Sequence, residues 1–325
     1  MPCSVRRGLH LGRRALFLVA AVAVDLRTTV GDLELATPVI AASGTFGYGV
    51  EYDGLVDWPL FGGISVKGLS ADPSKGHAAP RMVETPGGML NAIGLQNIGA
   101  EAFLRDKLPR LRTFGPRVIV NCWGNTTADF ERVVDALGSA DGIDALELNL
   151  SCPHKHEWGG VLAADPATTR TVIAAVRKRT RRRLWVKLSP NVTDIVEIAK
   201  VVEGEGADAV TLINTLRGLA IDVDSRRPSL ANGSGGLSGP AIKPVALYMV
   251  WQTARAIGIP VIGAGGIVCG RDAAEFLMAG ARAVEIGTVS LYEPNAGARI
   301  ARELADVVAG LGEPSVAAII GSLQA

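Results

Sequence analysis

The sequence predicts an α/β fold, a (β/α)8 TIM barrel, and three observations carry that reading. Eight short apolar runs recur along the chain, each followed by a polar or glycine-rich loop and then a helical stretch. The runs are β-branched or fully apolar, as parallel strands covered on both faces must be. No GxGxxG follows the first of them, which disfavours the doubly wound open sheet, the competing architecture. At 325 residues, 48% of them hydrophobic, the chain is long enough for one such barrel with a full core.

The strands are expected at residues 39–42, 63–66, 118–120, 145–148, 184–188, 209–213, 261–262 and 283–286. Residues 28–35, ahead of the first, alternate weakly and are expected to form a hairpin closing the barrel bottom. Helical patterns cover 128–137, 167–179, 192–203, 241–256, 271–279 and 295–311, with stops at Gly204, Gly258, Gly280 and Gly310. Two connections, Gly68 to Ala100 and Leu216 to Pro240, are longer than barrel loops usually are. Long loops in a compact domain are commonly lids or site walls. No linker or low-complexity tract divides residues 25–325, which read as a single domain.

Composition narrows the partners. A net charge of +1 leaves no excess of basic residues to neutralise phosphates, so no nucleic-acid partner is expected. The basic cluster 179–183, beside Lys178, reads as a solvated helix end. Four cysteines without CxxC spacing point to a reduced, cytoplasmic protein with no metal or iron–sulfur site of its own. Residues 1–24 stand apart. Arg6, Arg7, Arg13 and Arg14 precede an apolar run that stops at Asp25 and is too short to span a bilayer. A disordered or non-native extension is the first reading, a peripheral membrane-associating segment the second and an export signal the third.

Barrel active sites form at the C-terminal ends of strands, and nearly every expected strand end here is polar or glycine-rich. In chain order these ends carry Ser43-Gly44, Lys67-Gly68, Asn121, Asn149-Leu150-Ser151-Cys152-Pro153, Lys187, Ile213-Asn214-Thr215, Gly263-Ala264-Gly265-Gly266 and Gly287-Thr288. Cys152 is a candidate for chemistry because Pro153 restricts its backbone and its neighbours are polar; the competing reading is a buried structural cysteine. Lys67 and Lys187, at one barrel mouth, need anionic or polar company. Glycines after the last two strands let backbone N–H groups approach phosphate oxygens, and the helix starting near Arg271-Asp272 would add its dipole. FMN fits such a cradle, and so would a phosphorylated substrate.

Asn149-Leu150-Ser151-Cys152-Pro153, Asn91-Ala92-Ile93-Gly94-Leu95-Gln96-Asn97 and Gly263-Ala264-Gly265-Gly266 together resemble the family 1 dihydroorotate dehydrogenases. Ile213-Asn214-Thr215, Gly218-Leu219-Ala220-Ile221-Asp222 and Gly235-Gly236-Leu237-Ser238-Gly239-Pro240 resemble the NAD-linked class 1B in particular. The resemblance runs from about Asp25 to the C-terminus. It implies an FMN barrel that oxidises dihydroorotate to orotate in pyrimidine biosynthesis, with Cys152 as the general base for the C5 proton while hydride leaves C6 for the flavin. Lys187 would lie by the flavin pyrimidine edge, and Lys67 would touch both flavin and the orotate carboxylate. Asn91, Asn149, Asn214 and Thr215 would hydrogen-bond the orotate ring, beside the Ala92, Ile93, Gly94 and Leu95 segment. Ser43, Gly68, Asn121, Ile213 and Gly239, with Asn149, would line the isoalloxazine and ribityl chain. Gly265, Gly266, Gly287 and Thr288 would hold the FMN phosphate.

One departure is His154, where the family usually has asparagine after Cys-Pro; it bears on substrate affinity or ring selectivity. The class also implies a homodimer core joined to a partner subunit that carries FAD and a [2Fe–2S] cluster and reduces NAD+, a heterotetramer. The alternatives are a fumarate-linked class 1A-like enzyme, an FMN oxidoreductase acting on another dihydropyrimidine, and a phosphate-ligand barrel without redox chemistry.

Overall fold

The computed structural model describes residues 24–138, 140–151 and 165–324; residues 1–23, most of the segment set apart above, lie outside that set. Eight parallel strands close a barrel: β1 (Val39–Ala41), β2 (Gly63–Leu69), β3 (Arg117–Cys122), β4 (Ala145–Asn149), β5 (Arg183–Lys187), β6 (Ala209–Leu212), β7 (Val261–Ala264) and β8 (Ala283–Ile286). Each pairs with its sequence neighbour, and β8 returns to β1 with Val284 opposite Val39. All eight expected strands are present. Their apolar character follows from burial on both faces, since β6, β7 and β8 are buried at every position.

Helices follow every strand except the first: α1 (Ala100–Asp106) and α2 (Leu108–Leu111), then α3 (Thr127–Leu137), α4 (Pro166–Arg179), α5 (Ile195–Gly204), α6 (Lys243–Ala254), α7 (Gly270–Met278) and α8 (Ala296–Gly310). After β1 the chain makes two 3-10 turns, Val50–Tyr52 and Trp58–Leu60, in place of a helix. An aromatic cluster fills that space: Phe46 stacks on Tyr52 at 4.2 Å between centroids and meets Trp58 and Phe61 at 5.8 Å.

Side-chain caps set the helix starts. Thr126 opens α3 with a capping box, its hydroxyl taking the Asp129 N–H at 3.2 Å while the Asp129 carboxylate takes the Thr126 N–H at 3.1 Å. Asp194 accepts from the Val196 and Glu197 N–H groups, so α5 begins three residues later than the apolar pattern predicts. Two of the expected stops also move. Gly204 and Gly310 are the last residues of α5 and α8, and the left-handed positions belong to Gly206 (φ 85°) and Gly312 (φ 79°).

The barrel interior has two layers of opposite character. The lower layer is Ile40, Ile119, Ala145, Trp185, Ala209, Ile262 and Ala283. Below it, the antiparallel pair Thr28–Val30 and Leu33–Leu35 inserts Val30, Leu33 and Leu35 as a plug, each at most 3% exposed. Burial of each such leucine contributes about 1.5–3 kcal/mol. The upper layer, one inward position higher on several strands, holds Ser65, Asn121, Glu147, Lys187, Thr211 and Glu285, all buried.

The two long connections are one structure. Met82–Thr85 and Gly88–Asn91 from the first join Leu216–Gly218 and Gly235–Ser238 from the second in a four-stranded antiparallel sheet over the barrel mouth. The basic cluster is the expected exposed helix end at Lys178, Arg179 and Arg181, but it also ties down neighbouring elements. Arg182 donates to the carbonyls of Gly138, Ala140 and Ile143 at 2.6–2.9 Å, and Arg179 pairs with Glu131 and Asp135 of α3. Carbonyl groups at the end of α3 and in the loop after it need donors, and a guanidinium supplies several at once. Among the described residues no helix is long and apolar enough to cross a membrane.

Candidate active site

A cavity of about 290 Å³ opens at the C-terminal ends of the strands, roofed by the four-stranded sheet. Of the candidates named from sequence, Ser43, Lys67, Gly68, Asn91, Ala92, Ile93, Gly94, Leu95, Asn149, Lys187, Ile213, Asn214, Thr215, Gly239, Gly265, Gly266, Gly287 and Thr288 all border it. Asn121 does not. It is fully buried one step below, its Nδ2 donating to Glu147 at 2.6 Å. Its Oδ1 is buried without a partner and lies 2.8 Å from where a Cβ on Gly68 would stand, so a side chain at 68 would press on that acceptor. Cys152, Pro153 and His154 lie outside the described residues.

One wall is a run of amides. Asn149 ends β4 and accepts the Ser151 hydroxyl at 2.7 Å, and Asn214 donates its Nδ2 to that same Ser151 oxygen. The chain thus links the ends of β4 and β6 across β5. Thr215 N–H returns to the Asn214 Oδ1 at 2.8 Å, which fixes the amide's orientation. Across the cavity, Asn91 reaches in from the roof with its Nδ2 on the Gly236 carbonyl at 3.3 Å. The Ala92–Leu95 stretch is held by His77, whose N–H donates to Ile93 O at 3.0 Å and whose Nδ1 contacts Ala92 O at 3.1 Å.

The far end is backbone. Gly265 and Gly266 follow β7 at φ 127° and 77°; a Cβ on Gly266 would stand 2.9 Å from the Gly239 carbonyl and 2.8 Å from the Lys243 Cβ. Two segments, the loop after β7 and the stretch that leads into α6, therefore meet there at a spacing that only glycine allows. Thr288 starts a 3-10 turn after β8 and donates to the Ser238 hydroxyl at 2.8 Å. The α7 N-terminus, expected to face this cradle, does not line the cavity. Its first N–H, that of Gly270, is taken by Glu303 at 2.8 Å, and Asp272 accepts from Val268 and Cys269 just ahead of the helix.

The floor is charged and buried. Glu147 accepts from Ser65 at 2.9 Å, Asn121 at 2.6 Å and Thr211 at 2.7 Å, and Lys187 is ion-paired with Glu285. Burial disfavours every one of these charges, but the surrounding groups decide the outcome. For Lys187 the two carboxyls outweigh burial and keep its pKa above the ordinary value. For Glu147 burial is outweighed by Lys187 and the donated hydrogen bonds, and its pKa falls. Glu285 lacks those donors, and burial with the Glu147 charge pushes it up to about 8. Higher on the wall, burial lowers the pKa of the Lys67 ammonium, and Arg81 adds to the effect.

Sequence reasoning missed several of these groups. Glu147 and Glu285 were hidden in strands read as apolar, although an acid at an inward position of a buried strand is itself a signal. Asn191, just after β5, ties the roof down by donating to Thr215 O at 3.0 Å and accepting the Arg217 N–H at 2.9 Å. Arg217 and His77 border the cavity with no sequence signal beyond their loops.

Strand ends that converge on one roofed cavity place the chain among the (β/α)8-barrel enzymes. The dihydroorotate dehydrogenase family model matches residues 25–308. Relatives named dihydroorotate dehydrogenase B (NAD(+)), catalytic subunit, are half identical to it. That of Citrifermentans bemidjiense is 50% identical over 300 residues, covering 92% of this chain and 98% of the relative. That of Geobacter sulfurreducens is 51% identical with the same coverage, and that of Trichlorobacter lovleyi is 51% identical over 91% of this chain and 97% of the relative. The chain belongs to the dihydroorotate dehydrogenase family and is an oxidoreductase.

Proposed function

We propose that this chain is the FMN-dependent catalytic subunit of an NAD-linked, class 1B dihydroorotate dehydrogenase, oxidising (S)-dihydroorotate to orotate in pyrimidine (UMP) biosynthesis. The observation that supports it is a single cavity reached by Lys67, Asn91, Asn149 and Asn214 from separate segments and bordered at its far end by Gly239, Gly265, Gly266, Gly287 and Thr288.

The residues fit FMN. The glycine cradle leaves no Cβ in the way of a phosphate, and a helix dipole is not needed where several backbone N–H groups converge. The unpartnered Asn121 Oδ1 beneath Gly68 is an acceptor suited to a ring N–H. Bound FMN would supply the hydride acceptor. The chain's own work is then positioning and proton handling. Lys67 holds the substrate carboxylate, while Asn91, Asn149, Asn214 and Thr215 match the alternating donors and acceptors of the pyrimidine ring. Cys152 Sγ removes the C5 proton, which requires the thiolate. Lys187, kept cationic by its two carboxyl neighbours, offsets negative charge gained at the cavity floor.

Electrons leave through a partner subunit carrying FAD and a [2Fe–2S] cluster, with NAD+ as final acceptor, in a cytoplasmic heterotetramer around a homodimer core. Residues 25–325 act as one domain. Anaerobic addition of dihydroorotate to the purified chain tests the half-reaction. Rapid loss of flavin absorbance is expected, slowed about 10²- to 10⁴-fold in Cys152→Ala. A yellow protein that fails to bleach would move the substrate elsewhere, with His154 the first position to exchange.

A further inference from the structure

The upper barrel layer holds two acids and one base, buried together inside the barrel. Glu147 comes from β4, Lys187 from β5 and Glu285 from β8; Glu147 and Glu285 are at most 1% exposed and Lys187 is 5% exposed. The remaining strands add only uncharged groups there: Ser65, Asn121 and Thr211, with Ile40 and Ala264 beside Glu285 in the sheet. Two carboxylates against one ammonium leave an unbalanced charge, which a dry interior tolerates poorly. The two acids are not equivalent. Glu147 accepts three hydrogen bonds from side chains. Glu285 pairs with Lys187 through one oxygen, while its Oε1 meets no donor. Both carboxyls act on Lys187, and the Glu147 charge, with burial, raises the pKa of Glu285. Glu285 also borders the cavity beside Lys187, whereas Glu147 does not.

We propose that Glu285 is a positioning residue of the redox site, acting through Lys187: its carboxyl fixes the lysine ammonium at the cavity floor and gains or loses one proton to balance the charge held above it. The inference rests on FMN binding in this cavity. A hydride brings two electrons and one proton, hence one unit of negative charge, onto the floor. When Glu285 is ionised, it takes one proton from solvent through the cavity, so that charge is matched by a proton within the same buried group of side chains. When Glu285 already carries its proton, no such uptake occurs. The changeover falls near the value of about 8 to which burial and Glu147 push this carboxyl.

The test is the flavin midpoint potential of the holoprotein, measured spectroelectrochemically against pH. The wild-type potential is expected to fall more steeply with pH above about 8, the extra slope corresponding to one added proton per hydride. Glu285→Gln should lack this bend. Glu147→Gln should keep it but move it to lower pH, because the negative charge that raises Glu285 is gone. A purely structural role for Glu285 changes stability or FMN retention and leaves the bend in place. If Glu285→Gln does not fold, the Glu147→Gln arm decides alone. A wild-type bend that persists in Glu285→Gln, or one that Glu147→Gln does not move, overturns the proposal while FMN binding stands. A preparation that takes up no FMN overturns the cofactor reading and this proposal together.

Discussion

The two ends of the barrel are both closed by antiparallel β structure, yet one is a seal and the other a chamber. At the bottom, Thr28–Val30 and Leu33–Leu35 alternate buried and exposed residues and drive three apolar side chains into the lower layer. At the top, Gly235–Ser238 is only half-buried at every position, and Gly88–Asn91 is half-buried at three of four. The sheet is rich in glycine and polar side chains, so it spans the mouth without filling it. Strand pairing alone does not decide whether a cavity is left beneath; the size and polarity of the inward side chains do.

The largest expected effect attacks the seal. Leu35→Ala removes a side chain that is 1% exposed and should cost about 2–5 kcal/mol in urea unfolding. Flavin affinity of the folded fraction should stay unchanged; an equal loss of affinity would show that the two ends are coupled. Gly266→Ala comes next. It forces an L side chain to φ 77° against the Gly239 carbonyl, a cost of about 1–2 kcal/mol. Cofactor binding, followed by flavin fluorescence, should weaken at least about tenfold. Leu237→Ala, in the roof, is half-buried and should lose about 1 kcal/mol or less while raising KM, the reverse of the bottom-plug behaviour. A stability loss as large as that of Leu35→Ala would break the distinction.

The smallest effect is a pH dependence. Burial lowers the Lys67 pKa, so its positive charge is complete at low pH and is lost as pH rises through a value below the ordinary 10.5. Dihydroorotate kcat/KM should therefore fall on the alkaline side earlier than an unperturbed lysine would allow, and Lys67→Arg should hold its charge to higher pH. An unchanged alkaline limb in Lys67→Arg would assign the loss to another group.

Much of the architecture was legible because a doubly covered parallel strand needs an uninterrupted apolar run. The runs at β1 and β7 could be placed with no knowledge of their partners. After β1 no helical pattern was placed and none forms, because packing of Phe46, Tyr52, Trp58 and Phe61 fills that space, and periodicity does not report such packing. The roof was invisible as a sheet for a related reason. Asn91 and Gly236 are 145 residues apart, and antiparallel pairing over that distance leaves no local pattern. For the site, strand ends gave the polar rim. Asn121 stands one layer below the rim, a distinction the sequence does not show, since an inward position near a strand end and one at the rim look alike. The α7 N-terminus lies outside the cavity lining, with its Gly270 N–H given to Glu303 of α8, a long-range contact the local sequence does not report.

The 145-residue separation within the roof also orders the birth of the protein. Its first two strands leave the ribosome long before the segment that completes the sheet. A nascent chain stopped before β6 has five of the eight barrel strands and no chamber. The two halves of the roof come side by side only once β2 and β6 occupy their places in one closed ring, since closing so long a loop costs entropy that local contacts do not repay. The capacity to hold a ligand therefore arrives in a single late step of synthesis, and a truncated chain gains none of it in part.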